Sequence, residues 1–260
     1  MRKIIGITAL SIAVCVLVMV LFLPSPVLSF KCYRGDGVSC AQLGCDKLSR
    51  GDYDSAKFAF IRACKARDDD SCFELASIYD GEGNAAQAGV FYAAACDKNV
   101  AIACHKLGNL YQRGRLSRDF VAAARHYVKA CDLGYAKSCH NVGVVYYTGG
   151  FGLAADPAKA TSFFERGCDG GLVDSCYNAG VAYDKGLGAP QDRDKAEKLY
   201  TKSCELGYGD ACNNLGYLYV SKGDLRGFSK GLGWVKKGCD AGNKKSCQLY
   251  EFMKEQILKK

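Results

Sequence analysis

An eight-position pattern returns along the chain about every 35 residues: Cys-x-x-apolar-small-x-apolar-aromatic. Cys104-His-Lys-Leu-Gly-Asn-Leu-Tyr111 and Cys212-Asn-Asn-Leu-Gly-Tyr-Leu-Tyr219 are two of its copies. With the Cys counted as position 0, positions 0, 3, 4 and 7 share one face of a helix, so each copy predicts a helix with a buried stripe. The aromatics at position 7 (Tyr79, Tyr111, Tyr146, Tyr183, Tyr219) belong to that stripe rather than to a cofactor box. The small residue at position 4 (Gly108, Gly143, Gly180, Gly216) lets a neighbouring helix come close. It costs about 1 kcal/mol of helix propensity each time, so packing has to require it. A glycine-bearing turn such as Gly186-Leu187-Gly188 follows. A second helix then opens near Asp, as at Asp156-Pro157 and Asp192-Arg193-Asp194. Asp suits an N-cap and Pro suits the first helical turn. This second helix carries Ala, Tyr and Phe at helical spacing, as in Lys195-Ala196 to Leu199-Tyr200, and ends at another Cys.

The two sets of cysteines are in register. Cys32/Cys40, Cys64/Cys72, Cys96/Cys104, Cys131/Cys139, Cys168/Cys176, Cys204/Cys212 and Cys239/Cys247 all have the spacing Cys-x7-Cys. A fixed period of this length marks a helical repeat array. The expected fold is all-α: about six helix pairs between residues 37 and 242, closed by a more charged last helix over 244–259 that reads as a cap.

The stretch Ala130-Cys-Asp-Leu-Gly-Tyr-Ala-Lys-Ser-Cys-His-Asn-Val-Gly-Val-Val-Tyr146 resembles the Sel-one-like repeat, a relative of the tetratricopeptide repeat. The in-register Cys-x7-Cys pairs resemble the Helicobacter cysteine-rich protein family, over about residues 32–250. The resemblance implies an α/α right-handed superhelix, one disulfide per repeat junction, and a secreted or periplasmic protein. It also implies penicillin binding with slow β-lactamase activity. No Ser-x-x-Lys, Ser-Asp-Asn or Lys-Thr-Gly element is present, nor a Gly-x-Ser-x-Gly elbow, P-loop or dinucleotide fingerprint, so no catalytic residue is assigned.

Two Cys eight apart on one helix would sit about 12 Å apart, beyond the reach of a disulfide. The chain must therefore turn between them, and Gly134, Gly170-Gly171, Gly207 and Gly242 supply the stop. Each bridge then fastens the end of one helix pair to the start of the next. Zinc sites favour a spacing of two to four residues between Cys, which only Cys40-x4-Cys45 offers. No metal or other cofactor is expected. Cys45 is left over as a free thiol, either a spare buried side chain or a reactive one.

At the amino terminus Arg2 and Lys3 precede an apolar run from Ile4 to Leu23, broken by Pro24 and Pro26. Val27-Leu28-Ser29 fits a cleavage site after Ser29, which makes residues 1–29 a signal peptide; the alternative is an uncleaved membrane anchor. Either exports residues 30–260, read as a single repeat domain. Cys15 lies within the leader, so fifteen of the sixteen Cys are exported. The net charge of +8 comes without a Lys/Arg block, which argues against nucleic acid.

Positions 2, 5 and 9 of the first helix point away from the core. Asn141, Asn178 and Asn214 hold position 2 in successive repeats, beside Val144, Val181 and Tyr217 at position 5. An amide offers a donor and an acceptor, matching an extended peptide backbone. The basic neighbours Lys106, Arg113 and Lys185 either favour an acidic ligand or only solvate the surface. His105 and His140, both at position 1, and His126 on a second helix lack the carboxylate patterning of a metal or acid–base site. The reading is a monomeric exported scaffold that binds a protein or peptide through its concave face. Its alternatives are the β-lactam enzyme, with a β-lactam or cell-wall peptide as ligand, and a redox- or haem-linked assembly factor.

Overall fold

A computed structural model describes residues 25–149 and 152–258. The leader up to residue 24, with Cys15, lies outside the described residues. Regular structure within them is helical. The helices are α1 (Ser25–Tyr33), α2 (Gly37–Ser49), α3 (Tyr53–Lys65), α4 (Asp69–Gly81), α5 (Ala85–Asp97), α6 (Ala101–Gln112), α7 (Phe120–Asp132), α8 (Ala136–Thr148), α9 (Pro157–Asp169), α10 (Val173–Lys185), α11 (Arg193–Glu205), α12 (Gly209–Val220), α13 (Leu225–Asp240) and α14 (Lys244–Leu258). The chain forms two units, meeting in sequence at Leu133 and Gly134. In the first, α1 packs on α2, and the hairpins α2/α3, α4/α5 and α6/α7 stack in order. In the second, α8/α9, α10/α11 and α12/α13 stack and α14 closes the end against α13 and α12. The helix pairs and the capping helix agree with the periodicity. Helix α1 was not anticipated. Pro26 is its second residue, where a missing N–H costs nothing.

The chemistry of the helix ends explains the boundaries. Asp156 and Asp192 each accept a hydrogen bond from the backbone N–H three residues on, at 3.0 and 2.9 Å. At the other end the third residue after the first Cys of each pair turns left-handed. Gly207 does this with φ 92°, and in the first unit Arg67 and Asn99 do so with φ 67°. Across these turns run the bonds Cys32–Cys40, Cys64–Cys72, Cys96–Cys104, Cys168–Cys176, Cys204–Cys212 and Cys239–Cys247, with Cα atoms 4.4 to 4.8 Å apart. Cys131 and Cys139 are disulfide-bonded too. So many disulfides mark an oxidising environment.

The free thiol expected at Cys45 is corrected. Cys45 is disulfide-bonded, and no described cysteine is free. It is also buried, packed with Leu48, Ala56 and Phe60, where position 5 was expected to face outward.

The position-4 glycines make the close approach the sequence requires. A Cβ on Gly180 would lie 2.7 Å from the Tyr200 ring, and one on Gly108 equally near Tyr127. Gly180→Ala gains helix propensity but drives a buried ring off its rotamer, an overpacking cost of about 1–3 kcal/mol. The expected result is a urea midpoint lowered by about 1 kcal/mol of stability. The position-7 tyrosines clip the hairpins, as the apolar stripe predicts. The Tyr146 ring stacks on Phe163 at 5.9 Å. The Tyr183 hydroxyl donates to Glu165 at 3.1 Å, and Lys195 reaches both.

Candidate functional site

Helices α8 and α10 open successive hairpins, and α9 packs against both. Val144 and Tyr147 of α8, Thr161 and Phe164 of α9, Tyr177, Asn178, Val181 and Ala182 of α10, and Leu187 in the turn beyond line a cavity of about 210 Å³. The buried Phe164 ring, packed with Ala160 and Ala179, forms its floor. His140 supports that floor from outside the cavity. Its ring tilts against Phe164 at 5.7 Å, and Nδ1 and the Ser175 hydroxyl share a hydrogen bond of 3.1 Å. Burial holds the His140 pKa below the usual imidazole range, against the pull of Asp174, so the ring is neutral near pH 7. The Thr161 hydroxyl is committed elsewhere, lying 2.9 Å from the Pro157 carbonyl and 3.0 Å from that of Leu187. The Asn178 side chain, half-buried in this apolar wall, has no hydrogen-bond partner among the described residues.

Of the residues singled out from sequence, the cavity brings together Val144, Asn178 and Val181. Asn141 is half-buried one turn before Val144 and does not line it. Asn214 is engaged, its Nδ2 donating to the Tyr200 hydroxyl at 3.3 Å. Tyr217 stands 55% exposed, outside the cavity. His105 tilts against Tyr127 and His126 stacks on Tyr111, both at 5.6 Å, as packing residues do.

The residue the sequence reading passed over is Phe164. It lies four before the first Cys of its pair, where Tyr92, Tyr127 and Tyr200 stand in other repeats. Those tyrosine hydroxyls reach position 5 of their own hairpin or position 2 of the next. Tyr92 meets Ser77 at 3.4 Å, Tyr127 donates to Asn109 at 2.6 Å, and Tyr200 meets Asn214. Phe164 has no hydroxyl, and its two neighbours in that scheme are Val144 and Asn178. The missing oxygen leaves Asn178 without the partner that Tyr200 gives Asn214. No lining side chain is a carboxylate, imidazole or amine.

A family model described as Sel1 repeat matches residues 101–135, 136–172, 173–208 and 209–243, more than half of the chain. A protective antigen of uropathogenic Escherichia coli with an SLR fold superposes with a TM-score of 0.69 at 20% identity, over 88% of this chain and 59% of that one. The chain thus spans about three-fifths of that relative's length. A Sel1 repeat protein from Oxalobacter formigenes gives 0.67 at 22% identity, over 80% of this chain and 88% of that one. Cysteine rich protein B of Helicobacter pylori is 24% identical, with a TM-score of 0.40 over 50% of this chain and 94% of that one. No curated protein matches the chain.

Proposed function

The chain belongs to the Sel1 repeat family, and from that premise we propose that it is an exported scaffold that holds an extended segment of a partner protein on the second unit. The repeat fold is one generally used for binding proteins. The observation that carries the proposal is the cavity formed by Val144, Phe164, Asn178 and Val181, with its unengaged amide. Its size supports a peptide. Pockets for whole small molecules run to about 300–1,000 Å³, whereas 210 Å³ accommodates a single side chain. Asn178 can accept from a backbone N–H and donate to a backbone carbonyl, fixing the segment beside that side chain.

Panning displayed, unstructured peptides against the oxidised full-length chain tests this. The selected peptides are expected to lose binding to Val181→Asp, which puts a carboxylate into the apolar wall. Asn178→Ala is expected to weaken them about five-fold, the value of one net hydrogen bond, with the urea midpoint unchanged. Asn214→Ala is the converse control, costing stability through Tyr200 and leaving affinity intact. Peptides that bind Val181→Asp as they bind the wild type would remove the site from consideration.

A further inference from the structure

The repeats themselves indicate what the cavity should accept. Where the second helix carries a tyrosine, its phenol oxygen bonds position 5 of its own hairpin, as Tyr92 and Tyr127 do, or position 2 of the next, as Tyr200 does with Asn214. In the α8/α9 hairpin that oxygen is absent. The groups that would surround it, Val144 and Asn178, remain open to solvent above the Phe164 ring. The vacancy therefore has a defined chemistry: an aromatic floor, aliphatic walls and one amide able to bond a hydroxyl. Tyr147 and Tyr177, the latter also packed on Tyr200 and Tyr208, complete the aromatic lining and can meet a ring edge to face.

We propose that the cavity is a side-chain pocket for a tyrosine of the bound peptide, its phenol oxygen hydrogen-bonded to Asn178 in place of the hydroxyl that Phe164 lacks. The proposal rests on the peptide-binding reading. Asn178 then discriminates between tyrosine and phenylalanine, since a ring without the hydroxyl covers the amide and leaves it unpaired. Phe164 is the specificity-determining residue, because a tyrosine side chain there would satisfy Asn178 from within and occupy the point where the ligand's phenol oxygen would sit.

The probes are three Gly/Ser peptides, identical except for a central Tyr, Phe or Leu. Each is titrated into the oxidised full-length chain and followed by two-dimensional NMR, which reads weak affinities directly. The Tyr peptide is expected to bind about ten-fold more tightly than the Phe peptide, the upper range of one buried hydrogen bond, and to shift the Asn178 side-chain amide. Phe164→Tyr, which adds one oxygen at a position where sibling repeats carry it, is expected to fold normally and to lose the Tyr peptide. Equal or tighter binding of Phe or Leu would overturn the proposal. So would undiminished binding to Phe164→Tyr, or no response to any of the three. The broader reading fails separately, when panned peptides ignore Val181→Asp.

Discussion

Replacing Cys168 and Cys176 together by Ser is expected to lower the stability of the second unit by about 2.5 kcal/mol, the chain entropy released by opening so short a loop. That corresponds to a melting temperature lower by roughly 10 °C. Both sulfurs are buried, and their Cα atoms lie 4.5 Å apart across the turn from α9 to α10. The native positions are also held by the Cys176 N–H to Leu172 carbonyl bond and by Gly171 in its left-handed turn, so the folded state survives the change. The cost falls on the unfolded chain, which regains freedom over residues 168–176. Because α10 begins at this staple and carries Asn178 and Val181 one and two turns on, peptide affinity should fall with stability. Urea melts of the double variant beside the wild type check it, and coincident curves would show the bond to be decorative. Opening several bonds should cost less than the sum, since stacked hairpins share their interfaces.

The repeat frame was legible in the sequence because every element of it is written in residue type. Cysteine eight before cysteine, glycine at position 4 and Asp ahead of the second helix each correspond to an observed bond, ring contact or cap. The turn between paired cysteines was legible only where it is glycine. Arg67 and Asn99 take the same left-handed geometry without the residue that announces it. The binding residues were half legible. Of the three position-2 asparagines only Asn178 lines the cavity, and three that look alike in sequence differ in what they bond. Asn214 is held by Tyr200, whereas Asn178 faces Phe164 and is not held. The discriminating signal lies on another helix, as one oxygen present or absent four residues before a cysteine. Cys45 was misjudged for a related reason, since a position that lines a cavity in one repeat is packed over by Phe60 in another.

The same rule locates a second unsatisfied group, and it carries a large pH effect. Glu74 holds position 2 of its repeat, and the preceding second helix carries Phe60 where a tyrosine would supply a hydroxyl. Glu74 is 3% exposed, and neither carboxylate oxygen has a hydrogen-bond partner among the described residues. Burial, with Asp70 adding like charge, pushes its pKa up to about 7. A folded pKa above the unfolded value means stability that is whole below pH 4 and is lost as pH rises through 7. Relative to a Glu with an unshifted pKa, the raised value costs roughly 3 kcal/mol at pH 8 and about 1 kcal/mol at pH 5, where the folded carboxyl stays neutral while the unfolded one ionises. Glu74→Gln keeps the volume and removes the ionisation. Its urea midpoint should match the wild type near pH 4 and stand progressively higher towards pH 8. Phe60→Tyr should close part of the same gap by donating a hydroxyl to the carboxylate and drawing its pKa down. Parallel pH profiles for wild type and Glu74→Gln would mean that Glu74 is neither buried nor alone in the folded protein. The hydroxyl-vacancy rule would then fail in the first unit, whatever holds at Phe164.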